Sequence, residues 1–281
     1  MSSSAQSRYA VVDIGSNATR LLVATFDGDK MMEEMFTRVP LRPMEGVAGK
    51  ISPAAEKNLL KVLSGLRLLI ESLKPKSWQA VATAALRDCK NRDALLDKIH
   101  RLAGVSVRVL SGREEAETVG RFVAAQFSPK RTLLNVDCGG GSTDCAIVAN
   151  GKVAAAETFT VGTARPDCGG AAEKTRLTKW LRQNTARRKN IIVAGSGGSV
   201  RKLGEICGGI GDISLAKQQK RLLALSVSER AIKFNLTLDR AFSIIPAIEI
   251  YRLVLAATNA KSLEVVTGGL AAAVMNEMRK K

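Results

Sequence analysis

The sequence predicts an α/β fold built from two related halves. Two observations carry this: a hairpin-forming segment that occurs twice, and an alternation of strand-like and helix-like stretches around the two copies. A chain of 281 residues, 46% of them hydrophobic, suffices for two cores of about 130 residues each. The expected division is 1–130 and 131–281.

The first copy reads "YAVVDIGSNATRLLVATFDGDK" (9–30) and the second "LLNVDCGGGSTDCAIVANGK" (133–152). Each is an apolar strand, Asp-x-Gly, a few small polar residues, a second apolar strand, then a glycine turn ending in lysine. Asp13 matches Asp137, and Gly15 matches Gly139. Gly139, Gly140 and Gly141 lack Cβ atoms, so their amides can approach an anion closely, and Ser142 and Thr143 add hydroxyls. Phosphate fits such a turn. Asp137 at its mouth would repel a bare phosphate unless a divalent cation such as Mg²⁺ lay between them. A glycine-rich hairpin capped by an aspartate, with no ligand, is the purely structural alternative.

Between the copies, "PAAEKNLLKVLSGLRLLIESL" has helical spacing, and Ser52 before Pro53 is a start signal. "WQAVATAAL" reads as a buried strand and "VSVRVL" as another. "SGREEAETVGRFVAAQF" reads as a helix whose Ser111 and Glu114 fit a capping box. After the second copy come a short basic helix, the strand "IIVAG", a loop "GSGGS", several helices, and a strand "LEVVTGG" leading to a last helix.

Several function classes find little support. Cys89, Cys138, Cys145, Cys168 and Cys207 are odd in number and form no C-x-x-C, against a disulfide framework or a zinc site. The one histidine, His100, sits in the charged helical pattern "NRDALLDKIHRLAG". "EGVAGKIS" has Met44 where a Walker loop needs its first glycine and Ile51 where it needs Ser or Thr, and "CGGGSTDC" precedes a strand, against a dinucleotide fingerprint. "MSSSAQS" has no signal-peptide core and no stretch reaches about 18 apolar residues, so a cytoplasmic protein without a membrane span is expected.

Taken together, "VVDIGSNATRLLV", "ATAALRD", "LSGREEAE", "NVDCGGGSTD" and "VAGSGGSVRKL", in that order, resemble the exopolyphosphatase and guanosine pentaphosphate phosphohydrolase family in its short form. The resemblance implies two ribonuclease-H-like domains of the actin-like ATPase superfamily, with an interdomain cleft that takes a phosphate chain and Mg²⁺. It implies that Asp13, Ser16, Asn17 and Arg20 belong to a first phosphate loop, Gly139, Gly140, Gly141, Ser142 and Thr143 to a second, and Gly197 and Gly198 to a third. By the same resemblance Asp13, Asp137 and Asp144 would serve the metal, Arg87 and Arg113 would add charge to the cleft, and Glu115 would be the catalytic base. As a residue of a first helical turn, Glu115 also suits the helix dipole without any chemistry. The family usually has Glu where this chain has Asp144. "TRVPLRPMEGVAGKIS" also lacks the family's Arg-Leu-Gly before Glu45-Gly46.

The formal charge of +17 favours a long polyanion, which gains from many cationic contacts and counterion release. Polyphosphate is therefore the expected substrate of a Mg²⁺-dependent exopolyphosphatase, with a phosphorylated guanosine nucleotide as the alternative. A non-catalytic protein that binds a polyanion or RNA through its basic surface is the rival from another class, although aromatic residues for base stacking are sparse. A homodimer is left open.

Overall fold

The computed structural model describes residues 7–41, 49–186, 188 and 191–280. Glu45 and Gly46 lie outside them. The chain forms two compact units, one of Met1–Ser111 with Leu270–Lys281 and one of Gly112–Gly269.

In the first unit β1 (Tyr9–Ile14), β2 (Thr19–Asp27) and β3 (Lys30–Val39) form an antiparallel meander. Then follow α1 (Pro53–Leu73), β4 (Ser77–Ala82), α2 (Ala84–Arg87), α3 (Arg92–Lys98), a π-helical turn (Ile99–Ala103) and β5 (Val107–Val109). The sheet order is β3-β2-β1-β4-β5, with β4 and β5 parallel to β1. Alternation along β1 sends Ala10, Val12 and Ile14 into a core with Leu59, Leu63, Leu66 and Ile70 of α1. The Ser52 start signal is realised, its Oγ accepting from the Ala55 N–H at 3.2 Å.

The second unit opens with α4 (Gly112–Ala124), then the meander β6 (Leu133–Cys138), β7 (Thr143–Ala149) and β8 (Lys152–Phe159). It continues through α5 (Gly170–Thr185), β9 (Ile192–Ser196), α6 (Gly197–Cys207), β10 (Ile210–Gly211), α7 (Asp212–Leu223), α8 (Val227–Lys233), α9 (Leu238–Thr258) and β11 (Ser262–Val265). Its sheet order is β10-β11-β9-β6-β7-β8. The last helix of the chain, α10 (Leu270–Arg279), packs on β1 and β2 of the first sheet, while α4 packs on β6, β7 and β8. The meander-plus-parallel-strand order of the first sheet recurs in the second, so each unit is ribonuclease-H-like.

This packing groups α4 with the second sheet and α10 with the first, whereas a division at residue 130 would do the reverse. Other differences are local. "WQAVATAAL" is strand only to Ala82, and Ala84–Leu86 turn into α2 while staying buried; an apolar run looks the same in either state. The basic helix is not short, since α5 has 16 residues. "GSGGS" is not a free loop, because β9 runs to Ser196 and α6 begins at Gly197. Against expectation, α9 is long and apolar enough to cross a membrane. In this fold Ile244, Ile248, Tyr251 and Val254 of α9 lie at the centre of the second core, which accounts for its composition.

Gly120 of α4 shows how close the helix lies to the sheet: a Cβ there would sit 2.5 Å from the Ala146 Cβ. Gly→Ala inside a helix ordinarily stabilises. Here Gly120→Ala is expected to destabilise by about 1–3 kcal/mol through overpacking, and adding Ala146→Gly should recover most of the loss, as urea unfolding would show.

Candidate functional site

The two hairpins are the same object in three dimensions. Asp13 stands opposite Arg20, and Asp137 opposite Asp144, at the same place in the ladder. Each turn closes alike, with the Gly15 N–H bonded to the Ala18 carbonyl at 3.1 Å and the Gly139 N–H to that of Ser142 at 2.9 Å. Because strand residues alternate, Asp13 faces away from the α1 core and Asp137 away from the α5–α9 core. Each aspartate therefore lies on the sheet face that α10 or α4 covers.

In the first unit Arg20 Nη1 holds Asp13 Oδ2 at 2.8 Å. Asp13 Oδ1 is buried and has no hydrogen-bond partner among the described residues. Ser16 and Asn17 form the half-buried turn between the strands. Arg87 lies on α2, just past β4, which pairs with β1, and approaches Asp88 at 3.4 Å.

In the second unit the glycine turn is fixed from behind by residues 161–165. The Thr163 N–H donates to the Gly139 carbonyl (3.0 Å), the Ala164 N–H to that of Gly140 (2.9 Å), and Arg165 Nε to that of Gly141. In a trans peptide the C=O and the next N–H point in opposite directions, and no peptide bond among the described residues is cis. Three carbonyls held toward this strap therefore turn the N–H groups of Gly140, Gly141 and Ser142 to the other side, the arrangement of an anion nest. Gly162 permits the close approach, since a Cβ there would lie 2.4 Å from the Gly140 oxygen.

Asp144 is 3% exposed, and both its oxygens accept hydroxyl bonds, from Ser142 at 3.0 Å and Thr158 at 2.5 Å. Thr143 is turned to the Val161 carbonyl (2.7 Å) and serves the strap. Gly197 brings the start of α6 in beside this turn: its φ is +86°, and a Cβ would fall 2.5 Å from Asp137 Oδ1. Gly198 is tied through its carbonyl to Arg240 at 3.1 Å. The second unit thus brings together Asp137, Asp144, Gly139–Thr143, Gly197 and Gly198. The first turn of α4 begins over the same strands, where Gly112 leaves no room for a Cβ above Thr158. Glu114 and Glu115 are both half-buried in that turn. Arg113 is exposed and pairs with Glu117 at 2.8 Å, which raises its pKa.

The donor set fits Mg²⁺ in part. No group of three or more His, Cys, Asp or Glu side chains forms a cage among the described residues, but Mg²⁺ commonly takes one or two carboxylates and completes its shell with water and phosphate oxygens. The open Asp13 Oδ1 suits such binding. So does the Asp137–Asp144 pair, which sets two carboxylates at directly opposed strand positions. The five cysteines are free, and burial raises the thiols of Cys138, Cys145, Cys168 and Cys207, that of Cys168 to about 11. His100 is exposed, beside Ser106 at 3.3 Å.

The strap, Thr158 and Arg240 went unassigned from sequence. Gly162 was the only local signal for the strap, and Arg240 gave none.

The model of the Ppx/GppA phosphatase family matches residues 22–167. Exopolyphosphatase 1 of Mycobacterium leprae is 28% identical over 185 residues, covering 62% of this chain and 55% of that protein. Guanosine-5'-triphosphate,3'-diphosphate pyrophosphatase of Vibrio vulnificus is 27% identical over 300 residues, covering 97% and 60% respectively. The chain spans about half the length of the curated relatives it matches. Among solved structures, an exopolyphosphatase from Cytophaga hutchinsonii is similar at a TM-score of 0.85 and 20% identity, covering 97% of this chain and 98% of that one. The Aquifex aeolicus Ppx/GppA family member gives a TM-score of 0.77 at 23% identity, with 98% of each chain covered. These two likenesses establish the fold.

Glu173 anchors the segment leading into the strap, accepting from the Thr160 N–H and Arg176 Nε, both at 2.9 Å. The Arg176 bond, then the Thr160 bonds, outweigh desolvation and lower its pKa from 4.5 to about 2. A carboxylate with a depressed folded pKa contributes stability above its unfolded pKa and loses it as pH falls through the folded value. Glu173→Gln should therefore lower the urea midpoint at neutral pH, modestly because the site is partly exposed. The gap from the parent should close between pH 4.5 and about 2.

The hairpin with its three rear-held carbonyls, the aspartate at its mouth and the acidic first turn of α4 all fall where the motifs of one family fall. With that family's model matching just over half of the chain, the chain belongs to the Ppx/GppA phosphatase family.

Proposed function

We propose that the chain hydrolyses terminal phosphoanhydride bonds of inorganic polyphosphate, with Mg²⁺ as cofactor. The observation that carries this reading is the set of three amides, Gly140, Gly141 and Ser142, aimed to one side beside two opposed carboxylates. Preorganised N–H dipoles of this kind stabilise charge on a phosphoryl group without reorganising during reaction. The candidate Mg²⁺ ligands are Asp137 and Asp144 in the second unit and Asp13 in the first; the ion when bound would neutralise charge on the phosphate oxygens.

Glu115 is the proposed general base, orienting and deprotonating the attacking water from the first turn of α4. Ser142 has a second duty, since its hydroxyl orients Asp144 while its amide faces the nest. Arg20 fixes Asp13 so that Oδ1 is left as its available acceptor. The charge of +17 supports polyphosphate, whose affinity grows with the number of cations engaged. Guanosine pentaphosphate is the second reading, supported by the relative from Vibrio vulnificus, whose match covers 97% of this chain.

Phosphate release from polyphosphate, guanosine pentaphosphate and ATP, each with and without Mg²⁺, tests the reading. Turnover should be fastest on polyphosphate, require Mg²⁺, and fall by about 10²–10⁴ in Glu115→Gln with the melting temperature unchanged. Equal turnover in that variant would remove Glu115 from the chemistry, and tight binding with no turnover on any substrate would favour a polyanion-binding protein.

A further inference from the structure

The three bonds that hold the glycine turn are not equivalent. Two come from backbone amides, Thr163 and Ala164, which any residue but proline would supply. The third comes from a side chain, Arg165 Nε to the Gly141 carbonyl. The orientation of the Gly141–Ser142 peptide therefore depends on a side chain, while its two predecessors are held by strap amides, with a longer 3.4 Å contact from the Thr163 hydroxyl to the Gly139 carbonyl.

Arg165 is itself held in place. Its N–H donates to the Gly162 carbonyl at 3.2 Å, and its own carbonyl accepts from the Cys168 N–H at 3.1 Å. The chain then leaves through Asp167 and Cys168, at φ 46° and 56°, a left-handed pair that non-glycine residues adopt only when their surroundings impose it. Gly162 in turn donates to the Cys168 carbonyl at 3.2 Å. The guanidinium is thus delivered by a closed turn rather than by a free loop.

The geometry points to Arg165 as a positioning residue that sets the third amide of the nest: by holding the Gly141 carbonyl back, it aims the Ser142 N–H at the anion. Released, this peptide can rotate, and a rotated peptide turns a carbonyl where the N–H had been. A donor to phosphate then becomes a repelling dipole. Glycine at 141 makes the rotation sterically accessible, because it has no Cβ to resist the alternative backbone angles. The inference rests on reading this turn as a phosphate cradle.

Two variants of the full chain test it: Arg165→Met, of similar length with no donor, and Arg165→Lys, with one donor. The amide resonances of Gly140, Gly141 and Ser142 are compared without ligand, and tripolyphosphate binding and thermal melts are measured alongside. Arg165→Met should shift or broaden the Ser142 amide far more than that of Gly140 and weaken tripolyphosphate about ten-fold, the value of one lost hydrogen bond to a charged group. Arg165→Lys should recover part of both, with melts close to the parent's. An unmoved Ser142 amide and unchanged affinity in Arg165→Met would overturn the assignment, and so would losses in both variants that track a lowered melting temperature. If the parent itself does not bind tripolyphosphate, the cradle reading fails, while the Ser142 comparison still decides what Arg165 holds. Should Arg165→Met not fold, Arg165→Leu, which also lacks a donor, takes its place: a shifted Ser142 amide supports the role and an unmoved one refutes it.

Discussion

The proposed site depends on the direction of three peptide bonds. A glycine turn has no preferred face of its own, and the same residues could present carbonyls or amides to a ligand. What chooses is the strap of residues 161–165, which captures the carbonyls of Gly139, Gly140 and Gly141 and so turns the following amides the other way. Packing makes this possible: Gly162 lies against the Gly140 peptide with no space for a Cβ. Removing one side-chain atom at one position thus allows backbone contact, and backbone contact fixes the electrostatics of the turn.

The duplication explains why the two hairpins look alike and act differently. Both place an aspartate at the end of the central strand and close with the same glycine-to-carbonyl bond. The residue across the ladder differs. Arg20 neutralises Asp13 within the fold, whereas Asp144 leaves Asp137 facing a second carboxylate. The first hairpin is balanced by its own residues. The second places two carboxylates at opposed strand positions beside an anion nest, an arrangement that a divalent cation suits when a phosphate is present. Asp144 receives two hydroxyls, so its short side chain is oriented by Ser142 and Thr158.

Much of this could be read from the residues. The hairpins were legible because their register is written twice, Asp and its cross-strand partner falling at the same spacing in both copies. Ser52–Pro53 announced α1 because a cap is a local device. What could not be read depends on contacts distant in sequence. The strap reaches a turn more than twenty positions before it, and nothing in "VGTAR" beyond its glycine advertises three bonds to that turn. The covering helices exchange units because α10 returns from the end of the chain to the first sheet, a choice that no local pattern encodes. "WQAVATAAL" changes from strand to helix at Thr83 without leaving the core, so hydrophobicity could not mark the change. α9 has the composition of a membrane span because it is apolar nearly all round, as the central helix of a core is.

The most direct measurement of the central claim is a crystal structure of the chain with tripolyphosphate and Mg²⁺. The account predicts phosphate oxygens within hydrogen-bond distance of the amides of Gly140, Gly141 and Ser142, with the carbonyls of Gly139, Gly140 and Gly141 still bound to the strap. An anion bound only at the exposed basic faces, such as that of Lys174, Lys179 and Arg182 on α5, with the glycine turn empty at saturating ligand, would contradict it.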